Sequence, residues 1–525
     1  MNYLMAIDAG TGSVRAVIFD EEGTEIAASA HEWFHKTDPR YPGSMDFDWT
    51  AGWELTCLCI KEALAKAASK AGKDIATQIA AISTTCMREG LVLYDKAGEE
   101  IWACANVDAR ANDEVAQLKQ ISPGLESEIY HKSGQTFALG ALPRLLWVKN
   151  KEGELYKRLS RVGMFNDWLI FRLSGGKNGG VLLVEPSNGS TTGIFNLQTR
   201  TWDKDIARQC GIRDDIFGET AECGSLAGKV SKEAAAQCGL CEGTPLVVGG
   251  GDCQLGTIGL GVTEENGAAI FGGSFWQYEV NSTKAETSAD CAIRVNCHAV
   301  PGMWQFEALA FNPGLVMRWF RDAFCEGADY QVLDTYAAQI PAGSNGMVCT
   351  FSDVMNYINW RHATPAFMNF NLDVAAFNKY TFYRAIMENT ALVTRGHRDL
   401  VSGIGGIGAS ANKAPSTITF AGGAAKSALW SQIVADTLNT RIAVPVVKEA
   451  SALGTAIMAG FGVGLYKDIP SAAKKIAKIE KIFSPHAEDA AIYDKAYATW
   501  QEVYKPQLEL ADKGSTRHMW KAPGL

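Results

Sequence analysis

The sequence predicts an α/β fold built in two parts, and three observations support this prediction. The chain has 525 residues, which at about 100–200 residues per domain is enough for roughly two to four domains. Strand patterns, helical patterns and glycine turns alternate up to about residue 240, as in α/β proteins. A strand–turn–strand pattern like that of the N-terminus then begins again near residue 245. We therefore predict two domains, residues 1–244 and 245–525.

Composition limits the class of protein. The chain is 47% hydrophobic and 20% charged, which is typical of globular proteins. Its net charge of -9 disfavours non-specific binding of nucleic acid. No run approaches the roughly 20 apolar residues of a membrane span, and a strand pattern begins at once in place of a signal peptide. The thirteen cysteines are scattered, as in proteins of a reducing cytosol.

The first elements predict a β-meander followed by a helix. Residues 3–8, 14–19 and 25–29 have strand patterns separated by glycine turns. Residues 51–70 have the apolar spacing of an amphipathic helix. Residues 79–85 predict a further strand.

The turn at residues 10–13, with the sequence GTGS, carries more chemistry than a hairpin needs. Glycine turns let backbone N–H groups point at a phosphate. Thr11 and Ser13 add hydroxyl donors, Arg15 adds a positive charge, and Asp8 can hold a magnesium ion. The motif is neither a P-loop nor the dinucleotide fingerprint. It predicts a site for a metal-bound polyphosphate, but the same residues also fit a plain tight turn.

Two further glycine turns strengthen the nucleotide interpretation. Residues 272–274 separate two apolar strands, and residues 422–423 lie between a strand at 417–420 and a helix at 427–438. Two turns from two domains could hold β- and γ-phosphates, and the third could hold the nucleoside. Three such turns in two α/β halves fit one nucleotide in a cleft between domains.

Asp252 is the sharpest single candidate in the sequence. It follows three glycines and precedes a predicted helix. Phosphoryl transfer to an alcohol needs a carboxylate that orients the hydroxyl and accepts its proton. The same position also suits the N-cap of a helix, so local sequence leaves both roles open.

Charged residues follow the predicted strand at 79–85. Arg88 and Glu89 lie just beyond its carboxyl end, where open α/β sheets bind ligands. Asp108 and Arg110 come shortly afterwards. Together these side chains offer donors and acceptors to a polyol, although solvated surface pairs are the commoner fate of charged residues.

Cys238 and Cys241 form a CxxC motif. Such a motif is redox-active in some proteins and half of a zinc site in others. Because the chain has no second CxxC and the pair follows a predicted helix end, we favour a structural role. The eight histidines show no metal-ligand spacing.

Taken together, these segments resemble the FGGY family of carbohydrate kinases over nearly the whole chain. The matching segments, in order, are DAGTGSVRAVIFD, GGGDCQLG, FGGSFW, FAGGAAKSALWSQIVAD and VKEASALGTAIMAG. The resemblance implies two actin-like (ribonuclease H-like) domains flanking a catalytic cleft. It also implies ATP and Mg²⁺ as cofactors in the phosphorylation of a sugar or polyol.

The resemblance also implies roles for individual residues. Asp252 becomes the catalytic base, and Asp8 and Asp252 become the metal contacts. The residues expected along ATP are Gly10, Thr11, Gly12, Ser13, Arg15, Gly272, Gly273, Ser274, Gly314, Gly422, Gly423 and Ala424. The residues expected at the acceptor are Arg88, Glu89, Asp108, Asp252 and Trp276. Two features depart from the family pattern: Gly273 replaces a usual Thr, and residues 174–187 are longer and richer in glycine.

Four further segments resemble members of the family that phosphorylate a primary hydroxyl of the bacterial signal 4,5-dihydroxy-2,3-pentanedione. These segments are CMREGLVLYDKAGEEIWACANVDARA, GLVMRWFRDAFC, FSDVMNYINWRHATPAFMN and WKAPGL. A pentulose (xylulose-like) or glycerol kinase is an alternative, since Arg88-Glu89 resembles the pair that holds a triol in glycerol kinases. An actin-like nucleotide switch or sugar sensor without phosphoryl transfer is an alternative of another class. The resemblance further implies the phosphocarrier protein of the sugar phosphotransferase system as a partner.

Overall fold

Two large β-sheets form the framework of the protein. The computed structural model describes residues 2–72, 74–404 and 415–525. The first sheet has six strands, in the order Leu226–Lys229, Pro245–Gly251, Ile79–Cys86, Tyr3–Ala9, Ser13–Asp20 and Glu25–Glu32. The second sheet has seven, in the order Arg294–Cys297, Trp304–Leu309, Trp276–Ser282, Ala268–Gly272, Thr417–Ala421, Arg441–Pro445 and Ile479–Phe483.

The two sheets share one topology. The central strand Tyr3–Ala9 pairs antiparallel with the strand after it in sequence and parallel with Ile79–Cys86. The central strand Ala268–Gly272 pairs in the same way, antiparallel with its successor and parallel with Thr417–Ala421. The strand–turn–strand repeat in the sequence is therefore a repeat of a whole sheet arrangement. The α/β prediction with two related halves is confirmed.

The strand Pro245–Gly251 belongs to the first sheet, where it pairs with Ile79–Cys86. A domain boundary between residues 244 and 245, as expected from the sequence, would cut this strand from its sheet. Its GGGD turn resembles the start of a new unit, but its hydrogen bonds join it to the first half. We therefore propose a boundary after the helix Asp252–Gly259.

Helices cover both sheets, and smaller sheets complete the fold. The α-helices span Trp49–Ala71, Asn112–Ile121, Leu125–Ser133, Leu142–Lys151, Gly153–Arg158, Phe165–Ser174, Pro186–Gly189, Lys204–Gln209, Lys232–Cys238, Asp252–Gly259, Pro313–Phe324, Tyr330–Ala337, Lys379–Ser402, Ala428–Leu438, Ala450–Gly462, Ile469–Ile476 and Ala487–Asp512. The smaller sheets contain Leu91–Tyr94, Glu100–Cys104 and Arg161–Gly163, then Phe195–Asn196 with Thr201–Trp202, Val348–Cys349 with Phe367–Met368, and Arg361–Ala363 with His518–Lys521. Within the described ranges, every helix is too short or too polar to cross a bilayer.

Local signals explain where the predicted helices begin and end. The helix predicted at residues 51–70 begins at Trp49, because the Asp48 carboxylate accepts a hydrogen bond from the amide of Ala51 at 3.1 Å. It ends before Gly72, whose φ of 66° is a left-handed conformation that glycine adopts easily. The helix predicted at 427–438 begins one residue later, since Ser427 is its N-cap.

Two helices cross at the junction of the halves with their backbones in contact. A Cβ atom at Gly259 would lie 2.0 Å from the carbonyl oxygen of Ala450, and one at Gly454 would lie 1.8 Å from that of Leu255. Only glycine permits this approach. The Ser451 hydroxyl donates to the carbonyl oxygen of Asp252 at 2.8 Å. The crossing therefore fixes the N-terminal end of the helix Asp252–Gly259.

All thirteen cysteines are free thiols. The Cys238 sulfur lies 2.8 Å from the Cys57 sulfur in a buried contact between two helices. This contact and burial raise the pKa of Cys238. Cys238 of the CxxC motif thus packs against a third cysteine in the core of the first half.

Candidate active site

Two aromatic side chains support the first glycine turn. The indole N–H of Trp33 donates to the carbonyl oxygens of Gly10 and Thr11 at 3.1 and 3.2 Å. Nε2 of His35 lies 2.6 Å from the Thr11 carbonyl oxygen. The Gly10 amide donates to the Ser13 carbonyl at 2.9 Å, so it closes the turn and is not free for a phosphate. Trp33 and His35 follow the third strand, where no local motif marks them.

Arg15 forms an ion pair that the sequence did not predict. Its Nη1 lies 2.5 Å from Oε2 of Glu449, and each side chain is 39% exposed. Glu449 immediately precedes the helix Ala450–Gly462. The pair joins the first strand hairpin to the second half of the chain. Arg15 must share or leave this carboxylate to contact a phosphate.

Asp8 lies one residue before the end of the central strand of the first sheet. Its Oδ1 is buried and has no hydrogen-bond partner among the described residues. Burial and the charge of Asp252 raise the pKa of Asp8 to about 7. A buried carboxylate oxygen without a partner, next to a second carboxylate, is a favourable place for a cation. The residues present therefore fit a divalent metal ion.

Asp252 is the first helical residue, and Gly251 before it occupies the N-cap position. The N-cap interpretation of Asp252 is thus wrong by one residue. Its side chain is 39% exposed, and its Oδ1 lies 3.3 Å from Nε of Arg88. Oδ1 also accepts from the amide of Cys253 at 2.8 Å. Removal from bulk water raises the pKa of Asp252, and Arg88 opposes this shift.

Five side chains form a chain of alternating charge, in the order Asp252, Arg88, Glu307, Arg294 and Glu89. Arg88 donates from both terminal nitrogens to Glu307, with Nη2 at 2.9 Å from Oε1. Arg294 reaches the same oxygen of Glu307 from Nη1 at 3.4 Å and donates from Nη2 to Glu89. Burial raises the pKa of Glu307, but the two arginines outweigh it and lower this pKa overall.

Arg144 fixes the backbone at Glu89. Its guanidinium donates to the carbonyl oxygens of Glu89, Asn106 and Asp108 at 2.7, 2.6 and 3.0 Å. Glu89 has a φ of 63°, a left-handed conformation that is costly for a residue with a side chain. Arg144 lies on a helix 55 residues away in sequence, so local sequence gives no signal of this contact.

Asp108 and Trp276 do not have the positions expected of acceptor contacts. The Asp108 side chain is 0% exposed, and its Oδ2 accepts from Nε of Arg110 at 2.8 Å and from the amide of Met45 at 2.7 Å. Trp276 is fully buried, and its indole N–H donates to Thr394 at 3.0 Å. Both side chains are committed to internal contacts, and we leave them out of the proposed acceptor site. The sequence could not show on which side of its strand Trp276 lies.

The second and third glycine turns meet at one cavity of about 490 Å³. Six predicted ATP contacts line it: Gly272, Gly273, Ser274, Gly314, Gly423 and Ala424. Polar residues outside the predicted motifs line it as well: Arg318, Asp329, Gln331, Asp334, Lys426 and Ser427. This combination of glycine backbone and scattered polar groups suits a nucleoside with its phosphates.

Close backbone contacts explain the glycines of this cavity. A Cβ at Gly314 would lie 2.0 Å from the carbonyl oxygen of Gly273. Gly422 has a φ of 98°, and a Cβ there would lie 2.6 Å from the Gly272 carbonyl oxygen. Three segments distant in sequence can approach only because these positions lack side chains.

Asp334 is a cavity residue without a sequence motif. The Tyr383 hydroxyl donates to its Oδ1 at 3.0 Å. Burial raises the pKa of Asp334. Its carboxyl group can accept hydrogen bonds inside the cavity, as a ribose hydroxyl would require.

The long glycine-rich segment at residues 174–187 ends in contacts that support the start of the helix Asp252–Gly259. The Ser187 hydroxyl donates to Glu185 at 2.7 Å and accepts from the amide of Gly251 at 2.9 Å. Gly251 immediately precedes Asp252. The segment thus holds the backbone at the candidate base.

Comparisons with known proteins cover the whole chain. Residues 3–259 match the N-terminal domain, and residues 281–463 the C-terminal domain, of the FGGY family of carbohydrate kinases. The chain is 47% identical to an autoinducer-2 kinase of Yersinia enterocolitica and 46% identical to one of Salmonella paratyphi A, with 100% of this chain and 98% of each relative aligned. Two solved structures share its fold. A ligand-bound xylulose kinase from Lactobacillus acidophilus has a TM-score of 0.83 at 20% identity over 97% of this chain and 99% of the other. A glycerol kinase from Plasmodium falciparum with ADP has a TM-score of 0.83 at 19% identity over 96% and 98%.

Proposed function

Because the chain belongs to the FGGY family of carbohydrate kinases, we propose that it is an autoinducer-2 kinase that acts in quorum-sensing signal processing. It transfers a phosphoryl group from ATP to a primary hydroxyl of 4,5-dihydroxy-2,3-pentanedione. The observation that carries the reaction class is the solvent-reachable carboxylate of Asp252 beside the buried Arg88. The choice of acceptor rests on the likeness to autoinducer-2 kinases along the entire chain.

Asp252 serves as the base of the transfer. The acceptor hydroxyl donates to its carboxylate, which takes the proton as the hydroxyl oxygen attacks the γ-phosphorus of ATP. The bond between the γ-phosphorus and the bridging oxygen breaks, and ADP leaves. The raised pKa of Asp252 favours proton acceptance.

Asp8 and Asp252 would hold the magnesium ion. The unpartnered oxygen of Asp8 and its raised pKa support this assignment. A bound magnesium ion would neutralise charge on the phosphates.

The charged chain suits an acceptor with both carbonyls and hydroxyls. The carboxylate of Glu89 can only accept, so it pairs with a hydroxyl, whereas guanidinium groups only donate and pair with carbonyl oxygens. A ligand that leaves one buried group unpaired loses about 1–3 kcal/mol. Glycerol lacks carbonyls, and xylulose has one carbonyl and two additional hydroxyls.

A panel of three acceptors at saturating ATP tests the proposal. We expect catalytic efficiency to fall from dihydroxypentanedione to xylulose to glycerol. If xylulose or glycerol is preferred by about tenfold, or about 1.4 kcal/mol, the autoinducer assignment fails and the kinase assignment stands. Full-rate ATP hydrolysis without any acceptor would instead favour the nucleotide-switch alternative.

We further propose a cytosolic location and one protein partner. Free thiols at all thirteen cysteines and the use of ATP favour the cytosol. The family resemblance predicts contact with the phosphocarrier protein of the sugar phosphotransferase system. Titration of the purified carrier into the kinase, with acceptor phosphorylation as the readout, tests this partner.

A further inference from the structure

We infer that Arg294 and Glu307 are positioning residues that fix the acceptor contact Glu89 relative to the base Asp252. Both are buried members of the alternating chain, and neither belongs to a motif that predicts a role in the site. The inference rests on the proposed function only for the identity of the acceptor. It extends the site to the second sheet.

Arg294 is held firmly enough to position another side chain. Its Nε donates to Oε1 of Gln135 at 2.8 Å, and its side chain is 3% exposed. Gln135 is itself fixed, because it donates to the Val295 carbonyl at 2.9 Å and accepts from the Tyr357 hydroxyl at 3.0 Å. With Nε held, Nη2 of Arg294 is aimed at Glu89. One oxygen of Glu89 is thereby occupied, and the other can accept from an acceptor hydroxyl.

Glu307 controls how Arg88 meets the base. Both terminal nitrogens of Arg88 donate to Glu307, which leaves Nε to face Asp252 at 3.3 Å. A guanidinium pairs with a carboxylate most strongly through two parallel hydrogen bonds. Glu307 therefore prevents Arg88 from closing such a pair on Asp252 and blocking it. Asn296 donates to Glu307 at 2.9 Å and keeps its carboxylate in place.

Arg294 and Glu307 both lie in the rigid second sheet. Arg294 and Glu307 lie directly opposite each other on adjacent antiparallel strands of the second sheet. Glu89 and Asp252 both come from the first half of the chain. The second sheet thus fixes the position of Glu89 relative to Asp252, although neither residue belongs to that sheet.

The charges of the chain depend on each other. A buried charge that loses its partner costs several kcal/mol. Glu279 lies opposite Glu307 on the other neighbouring strand, buried and without a hydrogen-bond partner in the described part of the chain. Burial and the charge of Glu307 raise the pKa of Glu279 well above its usual range. Glu307, which contacts both arginines, is therefore the carboxylate that they share.

The two positioning residues should fail in different ways. Arg294→Gln frees Glu89, so we expect the acceptor KM to rise by about tenfold or more. Glu307→Gln frees the fork of Arg88 to pair with Asp252, so we expect kcat to fall by about tenfold or more with a smaller change in acceptor KM. ATP KM should stay within about twofold of the unmodified protein in both variants. Arg294→Lys keeps the charge without the fork and should recover part of the loss.

Arg200→Gln is the matched control. Arg200, whose side chain is 9% exposed, pairs with Glu222 at 2.7 Å and donates to the Met303 carbonyl at 2.8 Å, outside the charged chain. The Arg200→Gln substitution should lower the melting temperature without changing the ratio of acceptor KM to ATP KM. If Arg294→Gln behaves like Arg200→Gln, Arg294 is merely structural and the inference is overturned. If Arg294→Gln does not fold, the ratio of acceptor KM to ATP KM in Arg294→Lys decides between a positioning and a structural role.

The acceptor is chosen so that two failures remain distinct. The unmodified protein is first assayed on the acceptor panel, and all variants are then compared on its best acceptor. A preference for another polyol overturns the autoinducer assignment but leaves the positioning test intact. In the double variant Arg294→Gln/Glu307→Gln, we expect the fold loss in kcat/KM for the acceptor to be smaller than the product of the two single-variant losses, because the two residues act in one chain. Simple multiplication of the losses would count against the inference.

Discussion

Nη1 of Arg15 lies 2.5 Å from Oε2 of Glu449, so the arginine expected at the phosphates is paired with a carboxylate from the other half of the chain. Both side chains are 39% exposed, and exposed ion pairs contribute only about 0.2–1 kcal/mol. A phosphate with several negative charges can displace such a partner. The pair is therefore a modest competitor of ATP.

Glu449→Gln should lower the KM for ATP by up to about fivefold, which corresponds to about 1 kcal/mol. Arg15→Gln should raise the KM for ATP, since the positive charge that pairs with either Glu449 or a phosphate of ATP is lost. Initial-rate kinetics with ATP varied at saturating acceptor measure both effects. Glu449→Asp keeps the charge and serves as the control. An unchanged ATP KM in Arg15→Gln would remove Arg15 from the phosphate site.

Asp252→Asn should lower kcat by about 10²–10⁴, the usual loss on removal of a general base. The substitution keeps the shape of the side chain and an oxygen for the Cys253 amide, so the helix start should persist. ATP binding, measured by calorimetry with a non-hydrolysable analogue, should remain. Cys253→Ser is a neighbouring control that keeps the carboxylate. Turnover close to normal in a folded Asp252→Asn protein would exclude Asp252 as the base.

The sequence predicts the parts of this site that lie within one turn. The glycines at 272, 273 and 423 could be expected at one nucleotide from their turns, and they line one cavity together with Gly314, which only the family resemblance implied. Their signal is local, because a backbone without side chains is needed wherever phosphate and chain approach closely. The repeated topology could also be predicted from the sequence, since each half shows the same order of strand, turn and strand.

The sequence could not predict partners that lie far apart in the chain. Arg88 was expected at a polyol, but its main partner Glu307 lies 219 residues away. Glu307 and Arg294 occupy ordinary strand positions, where a charged residue gives no local sign of burial. The same limit explains why the sequence predicts Asp108 at the acceptor, although Arg110 occupies its carboxylate in the structure. Long-range pairing decides which charged residues remain available.

Gly314→Ala should raise the KM for ATP by about tenfold. The new Cβ would lie 2.0 Å from the Gly273 carbonyl oxygen, so the helix Pro313–Phe324 or the turn must shift. Overpacking of this kind typically costs about 1–3 kcal/mol. Kinetics with ATP and acceptor varied separately should show a change for ATP alone. Gly153→Ala is the matched control, because Gly153 lies at a helix start and an added Cβ there would meet no atom within 4 Å; it should leave both KM values unchanged.

Asp8 should make the metal-free protein less stable as pH rises. Its pKa is about 7 in the folded protein and 3.8 in the unfolded chain. Between these values the folded state keeps a proton that the unfolded state has lost, so unfolding releases a proton and stability falls with increasing pH. The groups that face Asp8 are Asp252, Arg15 and Glu449. Asp8→Asn removes this titration. The melting temperature of the unmodified protein should therefore fall relative to that of Asp8→Asn between about pH 4 and about pH 7, and the difference should stay constant at higher pH.

Magnesium should reverse this penalty only where Asp8 is ionised. We expect added Mg²⁺ to raise the melting temperature of the unmodified protein more at about pH 8 than at about pH 5, because the ion binds the deprotonated carboxylate. Asp8→Asn should lose most of this pH-dependent gain. Asp252→Asn provides the comparison. It removes the neighbouring charge that raises the pKa of Asp8 in the folded protein, so the upper end of the pH window should fall and the total penalty should shrink. Equal stabilisation by Mg²⁺ in the unmodified protein and in Asp8→Asn would show that the ion binds without Asp8.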